Sequence, residues 1–195
     1  MKKIVLLFAT LCLFVVSGLT QTTQNGKISL KVGSKLVYDV NNNNTKYQFI
    51  ITIKKLENGI TFDWQMTTPI NKKGTVEMSK EATENATALF NYFAGGLTKL
   101  TDKTSVWISQ DVWKDMHDDD EMVMLSLDDQ EETAFFREDG EVYKTTQNTT
   151  AIELKTSTLR SLTDLQTITI WENEEFPIIL KMDLGWTIEL KEITS

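Results

Sequence analysis

The residues best suited to metal chemistry form one acidic run beside the only histidine of the chain. His117 is followed by Asp118, Asp119, Asp120 and Glu121. Calcium takes about six to eight hard oxygen ligands, which makes Asp118, Asp120 and Glu121 the candidate ligands of a calcium site. An EF-hand loop, however, spaces its acids alternately around a central glycine, and this run is contiguous and has no glycine. A solvated acidic loop that needs no cofactor is the alternative, and the pattern favours it.

Hydrolytic chemistry has little support in this sequence. A serine triad needs a histidine base, a zinc site needs several nitrogen or sulfur ligands, and the chain has one histidine. No Gly-x-Ser-x-Gly motif occurs. Paired carboxylates alone can hydrolyse glycosides, but no pair stands out among the 28 acidic residues. We therefore predict no catalytic residue and keep a glycosidase-like hydrolase as an alternative function.

The aromatic side chains offer binding chemistry without catalysis. Trp107 and Trp113 lie on short predicted elements beside loops, where exposed indoles could stack on sugars. They are the candidate ligand-binding residues of a carbohydrate-binding module. Trp64 and Trp186 alternate with apolar neighbours and are interpreted as core residues. A sheet interior lined with phenylalanine and methionine could instead hold a lipid chain.

The N-terminus has the three parts of a secretory signal. Lys2 and Lys3 precede the apolar run 4–16, and the small residues Ser17 and Gly18 follow it. As a helix the run would span roughly 20 Å, short of a bilayer core of about 30 Å. Cys12 lies inside the run, which disfavours a lipoprotein signal. We predict cleavage near residues 18–23 and a secreted or periplasmic protein.

Charge and cysteine content narrow the function further. The net charge is -8, and removal of Lys2 and Lys3 makes the predicted mature chain more acidic by two. An acidic surface repels phosphate backbones, so we expect no nucleic-acid partner. Cys12 is the only cysteine, so the mature chain would have neither disulfides nor thiolate ligands. No second apolar run reaches transmembrane length.

The elements that must position these residues are mostly strands. Alternation of apolar and polar residues across 46–67, around Asn58 and Gly59, predicts an antiparallel hairpin. Ser79 and the apolar spacing after it predict one helix near residues 80–93. We predict a mainly β fold with an α+β minority: a curved antiparallel meander that forms a half-barrel, a barrel or a sandwich. The domains would be a signal peptide (1–20), a polar lead-in (21–33) and one β domain (34–195).

Two segments resemble a known group of proteins. The first is Ile170 to Met182 followed by Trp186 to Leu190, and the second is Gly33 to Tyr38. Together they resemble uncharacterised exported β-rich proteins of Gram-negative bacteria, the TapB-like group of domains of unknown function. The resemblance implies a curved antiparallel sheet and a periplasmic or surface location, and it supplies no catalytic residue.

The leading functional hypothesis is a non-catalytic exported β protein. Its partner would be a hydrophobic small molecule, an envelope component or another protein. The aromatic and methionine-rich strand pattern without a catalytic set motivates it. The two alternatives are the carbohydrate-binding module and the glycosidase-like hydrolase.

Export generates the first prediction. When the full chain is produced with a secretion pathway, N-terminal sequencing of the exported protein should find a start after residues 18–23, near Gln21, because the small residues Gly18 and Thr20 precede that bond. An exported product that still begins at Met1 would contradict the cleaved signal.

Overall fold

Extended structure dominates the chain, as its alternating hydrophobic pattern predicts. A computed structural model describes residues 24–25, 28–118, 121–163 and 165–195. The predicted signal peptide lies outside these ranges. The strands are β1 Gln24–Asn25, β2 Lys35–Asn42, β3 Thr45–Lys55, β4 Ile60–Met66, β5 Lys73–Met78, β6 Ala88–Leu89, β7 Gly96–Leu100, β8 Met122–Leu127, β9 Thr133–Asp139, β10 Tyr143–Gln147, β11 Thr150–Leu154, β12 Thr156–Ser161, β13 Thr167–Trp171, β14 Ile179–Asp183 and β15 Thr187–Thr194. The helices are α1 Lys80–Asn85 and α2 Gln110–Asp115.

One open sheet contains the main strands. Its order is β6-β8-β9-β12-β13-β14-β15-β2-β3-β4-β5-β7, and β1, β10 and β11 pair beside β15. Neighbours along the main path are antiparallel except at its two ends, where β6 with β8 and β5 with β7 are parallel. Within the described residues no pairing joins the two ends. The mainly β prediction is confirmed, and the closed-barrel form of it is not what the sheet adopts.

The predicted hairpin at 46–67 is confirmed as β3 and β4. Asn58 and Gly59 have positive φ at its tip, which is why this pair forms the turn. Phe62 and Trp64 on β4 are buried together with Phe49 and Ile51 on β3, while the alternate residues of both strands lie on the other face. One face of the hairpin therefore belongs to the core.

The segment Thr104–Ser109 lies inside the fold, and every one of its residues is buried. Trp107 packs against Phe62 of β4 with ring centroids 5.7 Å apart, and its backbone bridges Ile178 just before β14. Strands β4 and β14 are four places apart in the sheet, about 19 Å if the sheet were flat. The sheet must therefore curve around this segment, which we call the inner segment.

Both helices begin directly after a capping serine, which is Ser79 for α1, as the sequence predicts, and Ser109 for α2. Ser79 Oγ accepts a hydrogen bond from Ala82 N at 3.0 Å, and Ser109 Oγ accepts one from Val112 N at 3.1 Å. The predicted helix 80–93, however, ends at Asn85. A helix of six residues is too short to be stable by itself. Tertiary pairing therefore determines the conformation of the residues that follow it. Here Ala88 and Leu89 leave the helix and pair with β8.

The polar lead-in is partly built into the fold. Gln24 and Asn25 pair in parallel with Ile152 and Glu153 of β11, and the side chain of Ile28 is buried in the core. Across the described part of the chain, neither helix is long and apolar enough to cross a membrane.

Two glycines with similar positive φ allow the cost of backbone strain to be measured apart from the cost of steric overlap. At Gly59 (φ +98°) a Cβ would collide with the carbonyl oxygen of Met78, whereas at Gly185 (φ +85°) nothing lies within 4 Å. We expect Gly185→Ala to lower the free energy of unfolding by about 1–2 kcal/mol through strain alone. Gly59→Ala should add about 1–3 kcal/mol to that loss because the new methyl group overpacks the turn. Urea unfolding measures both, and equal losses would contradict this packing.

Candidate functional site

The structure places both candidate carbohydrate-binding tryptophans in the core. Trp107 is 1% exposed at the centre of the inner segment, and Trp113 is 9% exposed on α2. Trp113 covers the ring of His117, with centroids 4.2 Å apart. A sugar-stacking indole needs an open ring face, and neither residue offers one. The loop-tryptophan interpretation misjudged their exposure because short elements beside loops can still be folded inwards.

Asp118 and Glu121 are the candidate calcium ligands that the structure describes, and they belong to no group of side chains that could hold a metal. Glu121 pairs with Arg137 Nη1 at 3.1 Å, which occupies its carboxylate, and Asp120 lies outside the described residues. Asp118 sits in the turn after α2. Searching the described residues finds no cluster of three histidine, cysteine, aspartate or glutamate side chains arranged to hold a metal. Asp128 and Asp129 begin another acidic turn, which lies at the opposite end of β8.

The histidine belongs to a polar network that ties α2 to the sheet. His117 Nδ1 lies 2.8 Å from the carbonyl of Trp113, and Nε2 lies 3.2 Å from Glu172 Oε2. The other oxygen of Glu172 accepts a hydrogen bond from Ser157, and Arg137 Nε donates to the same hydroxyl at 2.9 Å. The carboxylate thus stands between serine and histidine. Ser157 is fully buried. The network therefore joins α2 to the sheet and does not present a serine nucleophile with its base.

A small apolar cavity lies between the sheet and the inner segment. Its volume is about 40 Å³. The lining side chains come from five of the central strands and from the segments that cover them: Val40, Tyr47, Phe49, Met66, Asn91, Phe93, Ser105, Val106, Met182, Trp186 and Ile188. A space of this size holds no more than a methyl group or a water molecule or two, and most of its walls are apolar.

One polar group in the cavity wall stands out. Ser105 is buried, and its hydroxyl has no hydrogen-bond partner within the described part of the chain. A buried hydroxyl without a partner costs about 1–3 kcal/mol, so native proteins rarely keep one without a reason.

Phe93 closes the cavity on one side. Its ring lies 4.6 Å from Phe49 and 5.2 Å from Trp64, measured between centroids. Phe93 belongs to the segment 90–95, which lies between β6 and β7 and outside any strand. The segment ends at Gly95 (φ +102°), and Gly96 (φ +77°) begins β7. We call 90–95 the cover segment, because it is the layer between the cavity and solvent on this side.

An aromatic groove of about 440 Å³ adjoins the cavity. Tyr47, Asn91 and Trp186 line both spaces. The remaining groove residues are Asn42, Phe90, Tyr92, Asp128 and Asp129. Burial raises the pKa of the Tyr47 phenol, so it stays protonated as a hydrogen-bond donor at neutral pH. Cavity and groove together form the candidate site.

The carboxylates of the groove are already engaged. Asp128 accepts a hydrogen bond from the backbone N–H of Asn91 at 2.6 Å, and Asp129 pairs with Lys103. The first contact anchors the start of the cover segment to the turn between β8 and β9. These acids therefore position the site and shape its charge.

Sequence reasoning missed most residues of this site. Phe90 and Phe93 were assigned to a helix, although they lie on the extended cover segment. Trp186 was interpreted as core, and it is only partly buried. The available signal was the pair Gly95-Gly96, one residue after an aromatic cluster, which is typical of a loop.

Comparison of the chain with family models, curated proteins and solved structures finds no match. The resemblance to the TapB-like group therefore stays a prediction.

The polar network generates a stability prediction. Glu172→Gln keeps the size of the side chain but removes the charge that faces His117 and Arg137, and we expect it to lower the free energy of unfolding by about 1.5–3 kcal/mol. The exposed neighbour Glu175 provides the matched control, since Glu175→Gln should change stability by less than about 0.5 kcal/mol. Equal effects in urea unfolding would show that the network does not stabilise the fold.

Proposed function

We propose that the protein is an exported, non-catalytic β protein that binds a hydrophobic or amphipathic small molecule of the cell envelope. The apolar part of the ligand would enter the cavity beneath Phe93. Its polar part would lie in the adjoining aromatic groove. The ligand would therefore contact the side chains that line the cavity and the groove.

The observation that carries the proposal is the cavity itself. It is mostly apolar, its lining includes Ser105, whose hydroxyl has no partner among the described residues, and it shares three lining residues with an open groove. Ligand sites in proteins commonly combine apolar walls with a few polar groups that fix orientation. Ser105 inside and Asn91 at the boundary are polar groups of this kind.

A chain longer than a methyl group needs more room than about 40 Å³. The proposal therefore requires Phe93 to move aside. The cover segment can make this movement without breaking a strand ladder, because its residues lie outside the strands. Gly95 ends this segment and Gly96 follows it, and glycine has a wide choice of backbone conformations because it has no Cβ.

The groove suits the polar end of an amphiphile. Tyr47, Tyr92 and Trp186 each combine a ring surface with a hydrogen-bonding group, and Tyr92 is 69% exposed. The residues that line the groove include no serine, cysteine or histidine, and both carboxylates already accept from donors of the chain. These properties support binding over catalysis.

A filled cavity should abolish binding. Val40 lines the cavity, and Val40→Phe would occupy it, whereas Val142→Phe adds the same bulk at an exposed position outside it. Titration with dodecyl maltoside, followed by tryptophan fluorescence, should give saturable binding to the unmodified protein and to the Val142 variant. The Val40 variant should bind at least about tenfold more weakly, a loss of about 1.4 kcal/mol or more.

Two further measurements keep this test decisive. Ser105→Ala removes one oxygen and leaves the apolar walls. This variant tests the same site if the Val40 variant does not fold. Maltose alone serves as the sugar control; binding of maltose as tight as that of dodecyl maltoside would overturn the apolar site in favour of carbohydrate recognition. Native mass spectrometry of protein purified from its producing cells should show a co-purifying small molecule.

A further inference from the structure

The outer edge of β8 has backbone groups that no strand of the described chain uses. Arg137 N donates to Glu121 O at 2.7 Å, which makes 121 and 137 a hydrogen-bonded pair of the β8–β9 ladder. In an antiparallel ladder such pairs alternate with pairs whose N–H and C=O groups point away from the partner strand. The residues Met122 and Met124, opposite Phe136 and Ala134, therefore direct their backbone groups to the other side of β8.

That other side is only partly occupied. Strand β6 pairs with β8 at Ser126 and Leu127, where Ser126 N donates to Thr87 O at 3.0 Å. Among the described residues, no strand continues this pairing along 122–125. The side chains there are also accessible, since Met122 is 40% and Met124 is 42% exposed. The edge at 122–125 therefore combines free hydrogen-bonding groups with adaptable apolar side chains.

Acidic residues stand at both ends of this edge. Asp115, Asp118 and Glu121 precede β8. The turn after β8 carries Asp128, Asp129, Glu131 and Glu132. Arg137 and Lys103 each neutralise one of these acids, so both ends keep a net negative charge.

We propose that the β8 edge binds an extended segment of a partner protein that has alternating apolar residues flanked by basic residues. The segment would add a strand beside residues 122–125, and its main chain would bond to the free groups of Met122 and Met124. Its apolar side chains would pack on the exposed methionines. Its basic ends would meet the acidic residues on either side, whichever way the segment runs.

The same charges disfavour a second copy of this chain at the edge. An antiparallel pairing of β8 with β8 would bring the acidic start of one strand beside the acidic turn of the other. Like charges opposed across strands destabilise the pair. Charge complementarity therefore selects a basic-flanked partner and opposes self-association.

The test uses one substitution that blocks the edge without breaking the sheet. Met124→Pro removes an N–H that points away from β9, and proline is tolerated on edge strands for this reason. Met124→Ala is the matched control, because it shortens the same side chain and keeps the N–H. The probe is a synthetic peptide of five alternating valine and threonine residues with two lysines at each end. A second peptide replaces the lysines with glutamates.

Isothermal titration should show that the lysine peptide binds the unmodified protein and the Met124→Ala variant within about threefold of each other. Met124→Pro should weaken binding at least about tenfold, and the glutamate peptide should not bind. Equal binding to the proline variant, equal binding of both peptides, or no binding of the lysine peptide would each overturn the proposal. A dimer of the unmodified protein that the proline variant loses would assign the edge to a second copy instead.

Hydrogen exchange provides a measurement that needs no variant. The amides of Met122 and Met124 should exchange rapidly in the free protein and become protected by at least about tenfold when the lysine peptide is present. Protection elsewhere without a change at these two amides would place the peptide at another site and overturn the proposal.

Discussion

The fold depends on burying the inner segment Thr104–Ser109 against one face of the sheet. Ile179 N donates to Val106 O at 2.8 Å, and Ile108 N donates to Pro177 O at 3.2 Å, so backbone groups that would otherwise be orphaned find partners near β14. The Trp107 ring packs against Phe62 on β4, four strands away from β14. An open sheet gains a filled interior in this way, with a chain segment in the place that a facing sheet would take.

This arrangement also explains where packing is imperfect. Thr104, Ser105 and Trp107 all have buried polar atoms without hydrogen-bond partners in the described chain. A segment that must follow the curve of the sheet cannot orient every side chain towards an acceptor. The cavity lies beside the same segment, between it and Phe49, Met182 and Ile188. The candidate site is therefore a direct consequence of how the sheet is filled.

The acidic residues at the core boundary and those at the surface have different roles. Within the core boundary, Glu172 meets Ser157, His117 and Arg137 in one network, which holds the end of α2 against β12 and β13. Other acids lie on either side of β8, among them Glu121 before the strand and Asp128 and Asp129 after it. Asp128 differs from the others because it also anchors the cover segment through Asn91.

Local sequence determined the elements whose signals are short-range. The hairpin of β3 and β4 follows from strict alternation around an Asn-Gly turn, and both helix starts follow from serines that cap the first turn. The mainly β class and the acidic balance were readable for the same reason, because each sums contributions that need no distant partner.

Only the tertiary structure decided which apolar segment lies inside. Trp107 and Trp113 had the sequence surroundings of loop residues, yet pairing with Ile178 and packing on Phe62 bury the first, and α2 docking buries the second. Ala88 to Phe93 had helical spacing, yet β6 pairs with β8 and Phe93 packs on Phe49. These contacts join residues far apart in the chain, and their energies outweigh local propensities that differ by less than about 1 kcal/mol per residue.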